Sequence, residues 1–362
     1  MSGNAAVSGT GRPLYAVDAG GSRTSVLAWT GERWTVPSVN PSSVGQDAAD
    51  RCLAGLFGRI ATHAGRGGGG AGRGDGAGRG DGGTGARPAV WLASAAADQG
   101  TAAEETRRCG AAAQAAGLHA ELVISNDVTP LVLDAPPDVG HVVVVCGTGA
   151  GFLATDGRSA PVRVGGCEYL GSDEGSAFDL GLRGLRAAVR GLDGRGPRTA
   201  LSDLLAAQAG APVPELARWL AGTPFPKSAV AALAPVVLRA WLAADPVACE
   251  IVDAAIGELV TGARAARDAA AIAPGWRLSI VGGVVTGCPE FFRRLAAAAA
   301  CLGADPVRLI SDPAAALLAV LGQLAVTDPV RLSDPRIDRD AWRVDLGDRA
   351  GAGLEGGGGR HA

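Results

Sequence analysis

The 362 residues carry a net charge of −3 and a mildly acidic isoelectric point, which exclude a basic surface for nucleic acid. The seven cysteines stand singly, with no Cys-x-x-Cys pair and no histidine cluster; a disulfide frame and a structural zinc site are excluded, and reduced thiols in a cytoplasmic protein are expected. The N-terminus has no charged segment leading into an apolar core, and the longest apolar stretch, Ala229 to Leu238, is too short for a bilayer and broken by Pro235, so no membrane partner is expected.

Residues 1–12 are small and polar, and disorder is expected there. Strands are predicted over Leu14 to Val17, Thr24 to Trp29 and Arg33 to Val36, followed by a helix over Gln46 to Ala61 with Leu53, Leu56, Phe57 and Ile60 at helical spacing. Residues 65–88 are mostly glycine with Arg, Asp and Ala, too poor in apolar side chains to order themselves, and read as a flexible surface insertion. A strand over Ala89 to Ala93, a helix over Thr101 to Gly117 and a strand over Glu121 to Ile124 complete a first lobe, residues 13–128.

A second lobe, residues 129–325, repeats the three-strand opening with His141 to Cys146, Gly151 to Thr155 and Val162 to Val164. Helices are predicted over Glu174 to Arg190, Ala200 to Gln208, Glu215 to Leu220, Lys227 to Ala243 and Pro246 to Ala271. A strand at Arg277 to Val281, a helix at Pro289 to Leu302, a strand at Val307 to Ile310 and a closing helix at Pro313 to Leu324 follow. Residues 326–362 read as a surface arm and a disordered Gly-rich tail. The fold class is α/β, with two similar halves expected to face each other across a cleft, where such folds place ligands.

The chemistry concentrates in glycine turns that follow strands. In Asp18-Ala19-Gly20-Gly21-Ser22-Arg23-Thr24 the glycines let backbone amides approach an anion, Ser22 and Thr24 add hydroxyl donors, and Asp18 is placed to hold a metal through water. Gly147-Thr148-Gly149 stands at the equivalent place in the second half and would take the other end of a polyphosphate. Lys227, the only lysine, follows no glycine run, so a nucleotide would be bound without a Walker lysine. Asp127, after Asn126 at a strand end, is placed to accept a hydroxyl proton or to cap a following helix. The acidic pair Asp173-Glu174, within Gly165-Gly166-Cys167-Glu168 through Ser176, suits a hydroxyl-rich ligand or plain helix capping. Gly282-Gly283 would let a flat base lie on the backbone, and Asn40 offers an amide or a simple Asn-Pro turn.

These pieces in this order resemble the N-acetylglucosamine kinase-like branch of the BadF/BadG/BcrA/BcrD ATPase family, within the actin-like ATPase and sugar-kinase superfamily, over about Leu14 to Leu324. The resemblance implies two duplicated actin-like (ribonuclease H-like) lobes, ATP and magnesium between them, and transfer of the γ-phosphate to a sugar hydroxyl, commonly the 6-OH of an amino sugar. On that pattern Asp127 is the base; Asn40, Asn126 and Asp173 or Glu174 contact the sugar; Gly20 to Thr24 and Gly147 to Gly149 hold phosphates; Gly282 and Gly283 line the adenosine; and Asp18 holds magnesium. The family usually has Lys at Arg23, a position that tolerates exchange; it usually has Gly-Trp-Gly at Gly166-Cys167-Glu168 and Gly at Ser172, and these two changes, on the sugar side, leave the preferred sugar open. Cysteines 109, 146 and 167 lack the arrangement of the family's iron–sulfur branch. The resemblance also admits a homodimer, with no interface readable in the sequence. A non-catalytic ATP-binding regulator of the same fold is the alternative.

Overall fold

The computed structural model describes residues 12–21, 23–67, 87–97, 100–224, 226–327, 332–334, 336–337, 340–347 and 354–355. In chain order the elements are β1 (Leu14–Ala19), β2 (Arg23–Ala28), β3 (Arg33–Pro37), α1 (Pro41–Val44), α2 (Gln46–Gly67), β4 (Ala89–Ser94), α3 (Ala102–Ala115) and β5 (Glu121–Ser125). A 3₁₀ turn spans Thr129–Asp134. Then come β6 (His141–Cys146), β7 (Ala150–Thr155), β8 (Val162–Gly165), α4 (Glu168–Gly171), α5 (Ala177–Asp193), α6 (Leu201–Ala209) and α7 (Val213–Ala221). They are followed by α8 (Pro226–Ala231), α9 (Ala234–Leu242), α10 (Pro246–Ala269), β9 (Arg277–Val281), α11 (Gly283–Gly287), α12 (Pro289–Ala300), β10 (Val307–Ile310), α13 (Pro313–Thr327), β11 (Ala341–Asp345) and β12 (Leu354–Glu355). The chain divides into two units, residues 1–131 with 312–362, and residues 132–311.

In the first unit the strands run in the order β12-β11-β5-β4-β1-β2-β3. β1, β2 and β3 form an antiparallel meander, while β4 and β5 lie parallel to β1. Strand β1 is apolar on both faces, as a central strand covered by helices must be, and Leu14 through Val17 are buried. Leu53, Leu56, Phe57 and Ile60 of α2 are all fully buried, so the spacing read from the sequence is the face that packs. Each such side chain contributes about 1.5–3 kcal/mol by leaving water.

The closing helix α13 was expected in the second lobe. It belongs to the first unit, where Leu317, Val320 and Leu321 are buried. The C-terminal arm is likewise more than a surface arm: β11 pairs antiparallel with β5, and Ala341 and Val344 are buried. The insertion expected over 65–88 starts later, because α2 runs on to Gly67; residues 68–86 lie outside the described residues, as do 1–11 and most of the Gly-rich tail.

In the second unit the order is β10-β9-β6-β7-β8, with β6, β7 and β8 antiparallel and β9 and β10 parallel to β6. This five-strand order is that of β5-β4-β1-β2-β3, so the duplication inferred from the sequence is present in the fold. The helix expected over Lys227 to Ala243 is two helices. Pro235 has no N–H and its ring crowds the carbonyl four residues back, at Ala231, where α8 stops. Among the described residues no single helix is long and apolar enough to cross a membrane; α8–α9 and α10 pass such a test only as a pair bent by 116°, and both pack apolar faces into this unit's core.

Candidate active site

In the first unit the chemistry gathers at the C-terminal edge of the parallel strands. Asp18 of β1 sits level with Ala93 of β4, and Ala93 is level with Ser125 of β5, two residues before Asp127. Burial pushes the Asp18 carboxyl up to about 7, the negative charge of Asp127 adds to this, Arg23 opposes it, and Asp312 adds further. Two carboxylates at one edge, one of them held this far from its ordinary range, form a site that favours a cation. Magnesium suits it, since that ion is commonly held by one or two carboxylates together with substrate phosphates and water. No group of three His, Cys, Asp or Glu side chains able to hold a metal alone occurs among the described residues.

The β1–β2 connection carries the first glycine turn, with Ala19 paired to Thr24. Among the described residues a methyl group on Gly20 would meet nothing nearer than 3.5 Å, and one on Gly21 nothing nearer than 3.7 Å, at Ser43 Oγ. Neither position has a positive φ. Among the described residues nothing crowds these two positions, which leaves room for the close approach of a ligand. Ser22 lies outside the described residues. Thr24 corrects the sequence reading: it is fully buried, and its Oγ1 accepts the Val39 N–H at 3.3 Å, so it ties β2 to the segment after β3 instead of facing a ligand.

Asn40 caps α1, its Oδ1 accepting the Ser42 N–H at 2.9 Å. Its segment is joined to the first turn by Ser38, whose hydroxyl donates to the Gly20 carbonyl at 3.1 Å. The helix expected after Asp127 is a short 3₁₀ helix, and just before it the Asn126 Oδ1 accepts the Val128 N–H at 3.2 Å. Asp127 itself is half-buried.

In the second unit Gly147, Thr148 and Gly149 connect β6 to β7. The Gly147 and Thr148 carbonyls accept the first two N–H groups of α5, from Ala177 at 2.9 Å and Phe178 at 3.2 Å. In a trans peptide the N–H points opposite to the C=O. The Thr148 and Gly149 amides therefore face away from α5 side by side, the arrangement that receives an anion. Gly282, with φ 128°, packs on this turn: a methyl group there would lie 2.3 Å from the Cys146 carbonyl oxygen. Gly283 beside it has open space. The second turn and the Gly282-Gly283 pair, 135 residues apart in the chain, thus adjoin within one unit.

Asp173 was expected to touch a sugar. It is 4% exposed, and its Oδ1 accepts the Ala150 N–H at 2.8 Å, while its Oδ2 lies 2.9 Å from Lys227 Nζ. Oδ1 takes a turn amide and Oδ2 stands in an ion pair with Lys227 but accepts no hydrogen bond, so this side chain braces the second turn through Oδ1. Glu174 next to it is exposed. Helix capping falls to Ser176, whose Oγ accepts the Asp179 N–H.

The sequence reading missed several residues. Arg108 donates to the Val39 carbonyl at 2.8 Å, and to Asp50 and Glu105, fixing the backbone just before Asn40; nothing in its helical context marked it. Asp312 was passed over as part of a loop. Lys227 had a signal, being the one lysine in a chain that otherwise uses arginine.

Residues 99–291 match the sequence profile of the BadF/BadG/BcrA/BcrD ATPase family. The chain is 26% identical over 150 residues to an N-acetylmuramic acid/N-acetylglucosamine kinase of Clostridium acetobutylicum, an alignment covering 41% of this chain and 49% of that protein, about half the relative's length. A solved structure from Porphyromonas gingivalis, whose assignment as an N-acetylglucosamine kinase is provisional, superimposes with a TM-score of 0.63 at 17% identity over 88% of this chain and 100% of that one. A second, from Chromobacterium violaceum and equally provisional in name, gives 0.57 at 21% identity over 85% and 98%. At these identities the structural likeness establishes the fold.

Proposed function

Proceeding from the fact that this chain belongs to the BadF/BadG/BcrA/BcrD ATPase family, we propose that it is an ATP-dependent sugar kinase that transfers the γ-phosphate to the 6-hydroxyl of N-acetylglucosamine or a related amino sugar. The observation that carries this reading is the nearness of the Asp18 and Asp127 charges at one sheet edge, beside a glycine turn that no described residue crowds. The Clostridium acetobutylicum relative, named for amino-sugar phosphorylation, supports the substrate class.

Phosphoryl transfer asks little covalent chemistry of a protein; positioning and charge stabilisation dominate. The amides around Gly20 and Gly21, with Ser22 and Arg23, and the paired amides of Thr148 and Gly149 would bind phosphate oxygens. Gly283 leaves room for the adenosine. Asp127 accepts the proton of the attacking hydroxyl, a role commonly worth a factor of about 10²–10⁴ in rate. Magnesium, held at Asp18, would neutralise phosphate charge. Asn40, Asn126 and Glu174 remain the side chains proposed for the sugar; Asp173 acts one step back, through the turn.

One observation favours the second reading, a non-catalytic ATP-binding regulator: Asp173 is buried against Ala150 and paired with Lys227, where a side chain for the sugar was expected. A coupled ADP-release assay across amino sugars and hexoses decides between them. Release that depends on an amino sugar is the expected outcome; sugar-independent hydrolysis, or none, would favour the regulator.

A further inference from the structure

Lys227 Nζ lies 2.9 Å from Glu168 Oε2 and 2.9 Å from Asp173 Oδ2, and 6.0 Å above the ring of Tyr169. Its two carboxylate partners bracket one short segment, Glu168 to Asp173. Both stand at left-handed backbone angles, φ 63° and φ 77°, which non-glycine residues adopt only when their surroundings hold them there. The segment is closed by the Ser172 N–H on the Glu168 carbonyl at 2.8 Å, and the Cys167 N–H donates to Ser172 Oγ at 2.8 Å.

Asp173 in turn reaches the second glycine turn. Its Oδ1 accepts the Ala150 N–H, and it packs so closely on Gly149 that a methyl group there would sit 2.6 Å from that oxygen. A buried carboxylate in this position requires a counter-charge. Burial works against the Lys227 ammonium, yet its pairing with Asp173 and Glu168 outweighs this and raises its pKa above the ordinary lysine value.

We propose that Lys227 is a positioning residue for the second glycine turn: it holds Asp173 against Ala150 and thereby sets the shape of the turn that receives the nucleotide phosphates, without touching the nucleotide itself. This inference rests on the kinase reading, and it adds a function for the only lysine in the chain. The dependence is on charge and on reach to two carboxylates, so arginine serves in place of lysine and methionine does not.

The test is steady-state kinetics together with titration of a fluorescent ATP analogue and magnesium, on the full chain and on Lys227→Met, Lys227→Arg and Asp173→Asn. Lys227→Met is expected to raise the ATP KM and the analogue's Kd about tenfold, with kcat and the sugar KM changed by less than about threefold, and Lys227→Arg to recover most of the affinity. On the Asp173→Asn background, where no buried charge is left unpaired, adding Lys227→Met is expected to cost nothing more; this pair keeps the test open if Lys227→Met alone does not fold. Parental ATP affinity in Lys227→Met overturns the inference, as do additive effects in the double variant or a loss confined to the sugar KM. A parent that binds the analogue but phosphorylates no sugar defeats the kinase reading and leaves the binding arm to judge Lys227. A parent that binds no nucleotide defeats both.

Discussion

The two glycine turns look alike in the sequence and differ in cause. In the first unit Gly20 and Gly21 have ordinary backbone angles and room for a methyl group. In the second, Gly149 has Asp173 where its side chain would be, and Gly282 has the Cys146 carbonyl. One turn keeps glycine for something outside the protein; the other keeps it largely for its own neighbours. The lesson is that a glycine-rich turn is evidence for a ligand only after internal packing has been subtracted. By that measure the first turn is the stronger witness, and it is the one beside Asp18 and Asp127.

The largest expected effect belongs to the acid beside the first turn. Asp127→Asn keeps the shape of the side chain and removes its basicity, so kcat is expected to fall at least about 10²-fold while nucleotide affinity stays near parental. Equal turnover in variant and parent removes Asp127 from the mechanism. Next comes Gly149→Ala, which forces a methyl group onto a carboxylate pinned by Ala150 and Lys227 and is expected to cost about 1–3 kcal/mol of stability, read by denaturant unfolding. An unchanged midpoint would show that the second turn is no more tightly packed than the first.

Gly21→Ala sharpens the contrast from the other side. Its stability is expected to be unchanged or slightly raised, because alanine narrows the unfolded ensemble and nothing in the fold is displaced. Nucleotide affinity is expected to drop about tenfold. A Gly21→Ala protein that is destabilised yet binds ATP normally would reverse the assignment of the two turns. The smallest effect is expected at His141, at the start of the strand leading to the second turn. Burial is the main cause that lowers its pKa to about 4, while its ring bonds the Val132 carbonyl and Ser279 Oγ. The unfolded chain takes up this proton at ordinary histidine pH and the folded chain does not. Stability is therefore expected to fall as pH drops from about 6.5 towards 4, a slope that His141→Gln would flatten in thermal melts.

Much of this was readable from local pattern. The repeated three-strand opening, the stripe Leu53, Leu56, Phe57 and Ile60, and Asp127 at a strand end each depend on a few adjacent residues, and each is where it was expected. Thr24 was open to a better reading, since strand alternation puts it on the same face as the buried Val26. What escaped depends on distance along the chain. Asp173 is committed by a backbone group 23 residues earlier and a lysine 54 residues later, and no spacing rule reports such a meeting. Helix α13 and strand β11 return to the first unit after the whole second unit has intervened, which their own apolar patterns do not reveal.

The most direct test of the phosphotransferase reading is ³¹P NMR of the parent protein with ATP, magnesium and N-acetylglucosamine. The expected result is loss of the ATP γ-signal with growth of a phosphomonoester resonance split by the two protons on carbon six. Growth of inorganic phosphate alone, or an unchanged ATP spectrum across the amino-sugar panel, would contradict it.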